Sequence, residues 1–141
     1  MRIPDVNVLL YASDASSSHH STARAWVERT LSVTETVGFA IVVVLGFVRI
    51  TTNPRIVANP ITPSDAFEVI AEWLAQPPAT VLHPGRRHLG VCRELLEAEG
   101  TAGNLTTDAH LAALAIEHGA TLASFDGDFH RFRGLQLEYL H

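Results

Sequence analysis

Asp5, Asp108, Asp126 and Asp128 are four of the chain's six aspartates, and their neighbours suggest one cation site. Asp5 directly follows the short strand begun by Arg2-Ile3-Pro4. Asp108 lies in the first turn of a helix starting at Thr106 or Thr107. Asp126 and Asp128 follow a strand over 120–124. In an open parallel sheet, ligands gather beyond the carboxyl ends of the strands. Asp5, Asp126 and Asp128 occupy that edge, and Asp108 reaches it from a helix N-terminus. Carboxylates crowded into one cleft repel by several kcal/mol at an effective dielectric of about 20. A divalent cation removes that cost, and an all-oxygen set suits Mg2+, with Mn2+ as the alternative. The chemistry that uses such a site is phosphodiester hydrolysis, in which the ion polarises a phosphate oxygen, activates water and neutralises the leaving oxygen. The ion also makes an acidic cleft attractive to phosphate. Each aspartate has a plainer role too. Asp5 can cap a helix, Asp108 can face a helix dipole, and Asp126-Gly127-Asp128 makes an ordinary turn. Their common placement on one edge is what favours the site.

The elements that must position these residues alternate. Val6 to Tyr11 reads as a buried turn of helix. Ser21 is a candidate cap for a helix with Trp26, Val27 and Leu31 inward. A strand is predicted over 37–40. The run Ile41 to Ile50 reads equally well as strand or buried helix, because its β-branched residues oppose its length and the Asn53-Pro54 stop. Thr62-Pro63 starts a helix with Ala66, Val69, Ile70, Trp73 and Leu74 inward. Thr80-Val81-Leu82 is a buried strand. Leu89, Cys92, Leu95 and Leu96 mark a helix closed by Gly100. The Asp108 helix stops at Gly119, and a last strand covers 135–140. Alternation of this kind implies a mostly parallel sheet with helices on both faces, in a single domain over 1–141.

Composition excludes several classes. Of 141 residues, 47% are hydrophobic and 18% charged, which argues for a well-buried sheet and against disorder. All ten basic residues are Arg, so a phosphate-binding P-loop and a Schiff-base lysine are both excluded. A net charge of −5 makes any nucleic-acid contact local or ion-mediated. One cysteine excludes a disulfide framework and any cysteine-based zinc site, and Cys92 reads as a small core residue. No signal peptide is evident, and the apolar run near 40–48 is too short for the roughly 20 residues of a membrane span. A soluble, cytoplasmic protein is expected.

At the aspartates the sequence resembles the PIN-domain ribonuclease toxins of the VapC type. Asp5-Val6-Asn7-Val8-Leu9-Leu10-Tyr11-Ala12 is similar to that family's opening motif. Thr107-Asp108-Ala109-His110-Leu111 resembles its second acidic motif. Ala123-Ser124-Phe125-Asp126-Gly127-Asp128-Phe129 resembles its third, and Phe47 to Arg55 resembles a VapC segment. The resemblance spans nearly the whole chain. It implies an α/β/α sandwich with a central sheet of four to five strands and Mg2+-dependent endoribonuclease activity. It also implies a small antitoxin partner, operator DNA reached through that antitoxin, and a homodimer. It makes Asp5, Asp108 and Asp126 metal ligands and Asp128 a ligand or outer-shell carboxylate, with Asn7 and Ser124 orienting Asp5 and Asp126. The family's usual Glu, three residues before Arg49, is Gly46 here. That leaves one carboxylate fewer and the choice between one and two ions open. Gly46 also motivates a second reading, a catalytically weak domain that mainly binds antitoxin and regulates an operator. A haloacid-dehalogenase-type phosphatase would need an aspartate where Asn7 stands, and normally a lysine.

Other residues carry less. His19 and His20 read as a solvated loop, and His110 and His118 are too far apart along one helix to share an ion. Arg86, Arg87 and Arg93 could form a basic edge with Arg49 and Arg55. Arg131 and Arg133, just after Asp128, are better placed for an RNA backbone. Phe129 and Phe132 read as core, and Trp26 or Trp73 as candidates to line a groove for a partner helix.

Overall fold

The computed structural model describes all residues from Met1 to His141. Five strands form one parallel sheet: β1 (Arg2–Pro4), β2 (Val37–Ala40), β3 (Ala79–Leu82), β4 (Thr121–Ser124) and β5 (Gln136–Tyr139), in the order β3-β2-β1-β4-β5. Six helices flank it: α1 (Val6–Ser13), α2 (His20–Leu31), α3 (Ile41–Thr51), α4 (Pro63–Leu74), α5 (His88–Glu99) and α6 (Thr106–Glu117). Helix α1 packs on both α2 and α3, α3 packs on α4, and α5 packs on α6. The expected three-layer α/β/α arrangement is thus present, with all five strands parallel. No helix is long and apolar enough to cross a membrane.

The strand order sets the site. From β1 the chain winds outward to β2 and β3, then returns to β1's other side for β4 and β5. The crevice between the carboxyl ends of β1 and β4 is therefore the switch point where open α/β sheets bind ligands. Pro4 pairs with Ala123, so Asp5 and Ser124 emerge side by side, and the Asp5 amide donates to the Ala123 carbonyl at 2.9 Å.

The ambiguous run resolves as α3. An extended chain of that length would overshoot the four-residue strands beside it. As a helix it buries Val43, Val44 and Phe47. The Thr51 and Thr52 hydroxyls close its last turn on the Phe47 and Val48 carbonyls. Thr62 caps α4 through the Asp65 amide, as its sequence predicts. Ser21 does not cap α2. The helix begins at His20, whose Nδ1 bonds the Tyr11 carbonyl at 2.8 Å, and Ser21 is exposed in the first turn. His19 is likewise no solvated loop residue, because its ring packs against Tyr11 and Phe125.

The core includes Ile3, Phe39, Phe47, Leu114, Leu122, Phe129 and Phe132. Trp26 is buried, with its Nε1 donating to Glu138, and Trp73 packs against Phe39 and Phe47. Both tryptophans serve the interior, so the expected groove does not use them as exposed walls. Gly38 in β2 sits where an added Cβ would collide with the buried Leu82 side chain. Gly38→Ala is expected to cost about 1–3 kcal/mol by overpacking, read as a lower urea midpoint with an unchanged m-value.

Candidate active site

Asp5 sits at the bottom of the crevice, 8% exposed. Its Oδ1 accepts from the Val6 amide at 2.7 Å, which caps α1. Its Oδ2 accepts from Ser124 Oγ at 2.7 Å and from Asn7 Nδ2 at 3.1 Å. Asn7 also donates to Ser124 Oγ, and its Oδ1 accepts from the Phe125 amide. Ser124 Oγ in turn accepts from the Asp126 amide at 2.9 Å. Asp126 Oδ1 accepts from the Asp128 amide, which caps a 3-10 turn over Gly127–Arg131. The cap and turn roles considered for Asp5 and Asp126 are therefore real. They use one carboxylate oxygen of Asp126 and fix both side chains at the crevice.

Asp108 approaches from the first turn of α6. A cleft of about 380 Å3 is lined by Asp5 and Val6, by Val42, Gly46 and Arg49 of α3, and by Thr107, Asp108 and Leu111 of α6. Gly46 leaves room there. An added Cβ would meet only Val6, in ordinary van der Waals contact at 3.4 Å, so the backbone here could carry a side chain at this cleft wall.

The electrostatics are those of neighbouring carboxylates without a direct ion pair. Burial pushes the Asp5 carboxyl up to about 6. The Ser124 and Val6 hydrogen bonds pull it down, and the charges of Asp108 and Asp126 push it further up. Burial raises Asp108 as well, helped by Asp126 and Asp128 and opposed by Arg131. None of the four aspartates has an ion-pair partner within 4.0 Å. Asp5 and Asp108 line the cleft, while Asp126 and Asp128 lie outside its lining but close enough for their charges to act on Asp108 and, from Asp126, on Asp5. Of the arginines, Arg49 lines the cleft and Arg131 influences Asp108. Arg86, Arg87 and Arg93 lie outside the cleft lining, with Arg93 paired to Glu97.

Comparison with known proteins agrees with this geometry. A family profile described as PIN domain matches residues 2–135. The chain belongs to the PIN-domain family. This PIN domain is 43% identical over 136 residues to Ribonuclease VapC37 of Mycobacterium tuberculosis, covering 96% of the chain and 94% of that protein. It is 42% identical to Ribonuclease VapC33 of the same species, at 96% and 95% coverage. Its VapC affinity is thereby established. In fold it is similar to a structure of VapBC2 from Rickettsia felis bound to a promoter DNA fragment, with a TM-score of 0.71, 17% identity, and 99% and 98% of the two chains covered. It is also similar to VapBC-1 of nontypeable Haemophilus influenzae, with a TM-score of 0.68, 14% identity, and coverage of 98% and 96%.

Proposed function

We propose that this PIN domain is the ribonuclease toxin of a toxin–antitoxin pair, cutting RNA phosphodiester bonds with a divalent ion held by Asp5, Asp108 and Asp126. The observation that carries the reading is the set of carboxylates at the β1–β4 switch point, with Asp5 and Asp108 raised by burial and none of the four held in an ion pair. The donor set fits Mg2+ or Mn2+, being all oxygen and rigidly held on the Asp5 side. The ribonuclease names of its relatives and the VapBC neighbours support the activity and a small antitoxin partner. In this reading the domain works in the cytoplasm as a homodimer and meets operator DNA only through the antitoxin.

When bound, the ion supplies Lewis-acid polarisation of a phosphate oxygen and makes water nucleophilic at neutral pH. The chain's own groups do the rest. Ser124 and Asn7 hold Asp5 so that its orientation does not depend on substrate. Asp128 stands beside Asp126 as an outer carboxylate. Arg49 at the cleft wall and Arg131 near Asp108 offer forked donors to an RNA backbone.

The test is incubation of purified protein with total RNA and mapping of the cut ends. Cleavage that needs Mg2+ or Mn2+ and stops with EDTA is expected. Unchanged cleavage in EDTA, or none with either ion, overturns the reading. Ser124→Ala is expected to lower cleavage about 10- to 100-fold, as loss of an outer-shell partner does. It also removes the hydrogen bond that pulls the Asp5 carboxyl down. The rising limb of the pH–rate profile should therefore move to higher pH, which loss of packing alone would not cause.

A further inference from the structure

A second group of ligating side chains lies between α5 and α6, apart from the aspartates. His88 and Cys92 are four residues apart on α5 and so share a helix face. His110 reaches them from α6. His88 Nε2 lies 2.8 Å from His110 Nδ1 and 3.5 Å from Cys92 Sγ, and one ligand atom from each residue falls within 4.8 Å of the other two. On the far side of the His88 ring, Nδ1 faces Glu117 Oε2 at 3.7 Å, with the two side chains only 5% and 10% exposed. Both atoms are buried without a hydrogen-bond partner, while Glu117 Oε1 is held by the Gly85 amide.

An unpartnered buried imidazole nitrogen aimed at an unpartnered buried carboxylate asks for a proton between them. A proton on His88 Nδ1 satisfies that pair at a small closing distance. Nε2 is then the basic nitrogen, accepting in the metal-free protein from His110 Nδ1 or Cys92 Sγ, contacts whose protons a metal ion would displace. This is the carboxylate–histidine arrangement that orients a metal-binding imidazole. The spacing agrees. Tetrahedral zinc with bonds of about 2.0–2.1 Å to nitrogen and about 2.3 Å to sulfur puts the S···N pair about 3.6 Å apart and the N···N pair about 3.3 Å apart. The Cys92–His88 pair is already there, Cys92 and His110 lie within 4.8 Å, and the two histidines need part by only about half an ångström.

We infer that His88, Cys92 and His110 form a binding site for one borderline divalent transition metal, Zn2+ in the first instance, with Glu117 orienting His88. The mixed nitrogen and sulfur donors select against Mg2+ and separate this site from the aspartates. Three protein ligands leave a fourth position for water, and the partial exposure of Cys92 and His110 gives the ion a way in. Cys92 ligates as a thiolate, releasing its proton to solvent. His110 follows Asp108 by two residues, about 200° around α6, so the ion would clip α5 to the back of the helix that carries Asp108. The early exclusion of a cysteine-built zinc site holds for cysteine-rich sets but not for this one. The inference stands whether or not the domain cuts RNA.

Untagged protein, stripped of metal and kept reduced with a phosphine, is titrated with Co2+ while near-ultraviolet absorption is followed. One equivalent should raise a thiolate-to-cobalt charge-transfer band, abolished by Zn2+ but not by excess Mg2+, and Zn2+ alone should raise the melting temperature. Cys92→Ser should lose the band, and His110→Gln should weaken Co2+ binding by about tenfold or more. Asp5→Asn should leave the band unchanged. Absence of the band in folded parent protein, or its survival in Cys92→Ser, overturns the inference. If Cys92→Ser does not fold, His110→Gln decides, and undiminished Co2+ binding there overturns the inference equally.

Discussion

Asp5→Asn is expected to lower RNA cleavage by about 1000-fold while leaving the metal-free protein at least as stable as the parent at neutral pH. The activity loss should exceed the 10- to 100-fold typical of an outer-shell partner, because a charged ligand is removed. The stability expectation follows from opposing effects. Burial raises the Asp5 carboxyl from 3.8 to about 6. Holding it ionised at neutral pH therefore costs the folded state on the order of 3 kcal/mol. Asn removes that cost and keeps the side-chain volume. Against this, its single oxygen cannot serve both the Val6 amide and the Ser124–Asn7 pair, and a lost cap costs about 1 kcal/mol. A purely structural Asp5 would behave differently, losing stability on substitution with cleavage intact per folded molecule. Cleavage assays beside urea denaturation at pH 7.5 separate the outcomes, and parent-like cleavage by folded Asp5→Asn would remove the aspartate from the proposed mechanism.

Much of this site was legible because its parts follow local rules. Asp5 and Asp126 each come just after a short apolar strand, and Asp108 sits in a helix's first turn. Those placements can be read along the chain. The switch point cannot, because nothing local says that β1 lies between β2 and β4. Ile41 to Ile50 resisted for a related reason. Its β-branched residues favour a strand, and burial of Val43, Val44 and Phe47 decides for a helix. The start of α2 was misplaced because His20 is fixed by the distant Tyr11 carbonyl rather than by a local cap. Cys92 reads as core when judged alone. Its four-residue spacing from His88 was a usable signal, but His110 enters only through the packing of α5 on α6.

The stability of the metal-free protein and the stabilisation that an ion adds to it should change with pH in opposite directions. Asp5 has a folded pKa above its ordinary 3.8, so its contribution to stability is fully present below that value and is lost as pH rises through about 6. Asp108 is shifted in the same direction, mainly by burial. The metal-free protein should therefore lose up to about 3 kcal/mol from Asp5 as pH rises from below 3.8 to above 6, about 1.4 kcal/mol of it between pH 5 and 8. His110 works the other way. Burial and the nearby His88 lower its pKa, so stability tied to its neutral form falls on acidification. Subtracting the Asp5→Asn profile removes this common background. Mg2+ or Mn2+ competes with the proton at Asp5. With a carboxyl titrating near 6, about nine-tenths of Asp5 is protonated at pH 5 and almost none at pH 8, so affinity should fall about tenfold toward the acid side. At a concentration of 100 Kd measured at pH 8, the ion adds about 2.7 kcal/mol, and this shrinks to about 1.4 kcal/mol once affinity is tenfold weaker. Thermal melts across pH, with and without ion, in parent and Asp5→Asn, measure both slopes. An ion-induced stabilisation independent of pH, or one that Asp5→Asn retains in full, would mean that the cation binds elsewhere than at the buried carboxylate of the switch point.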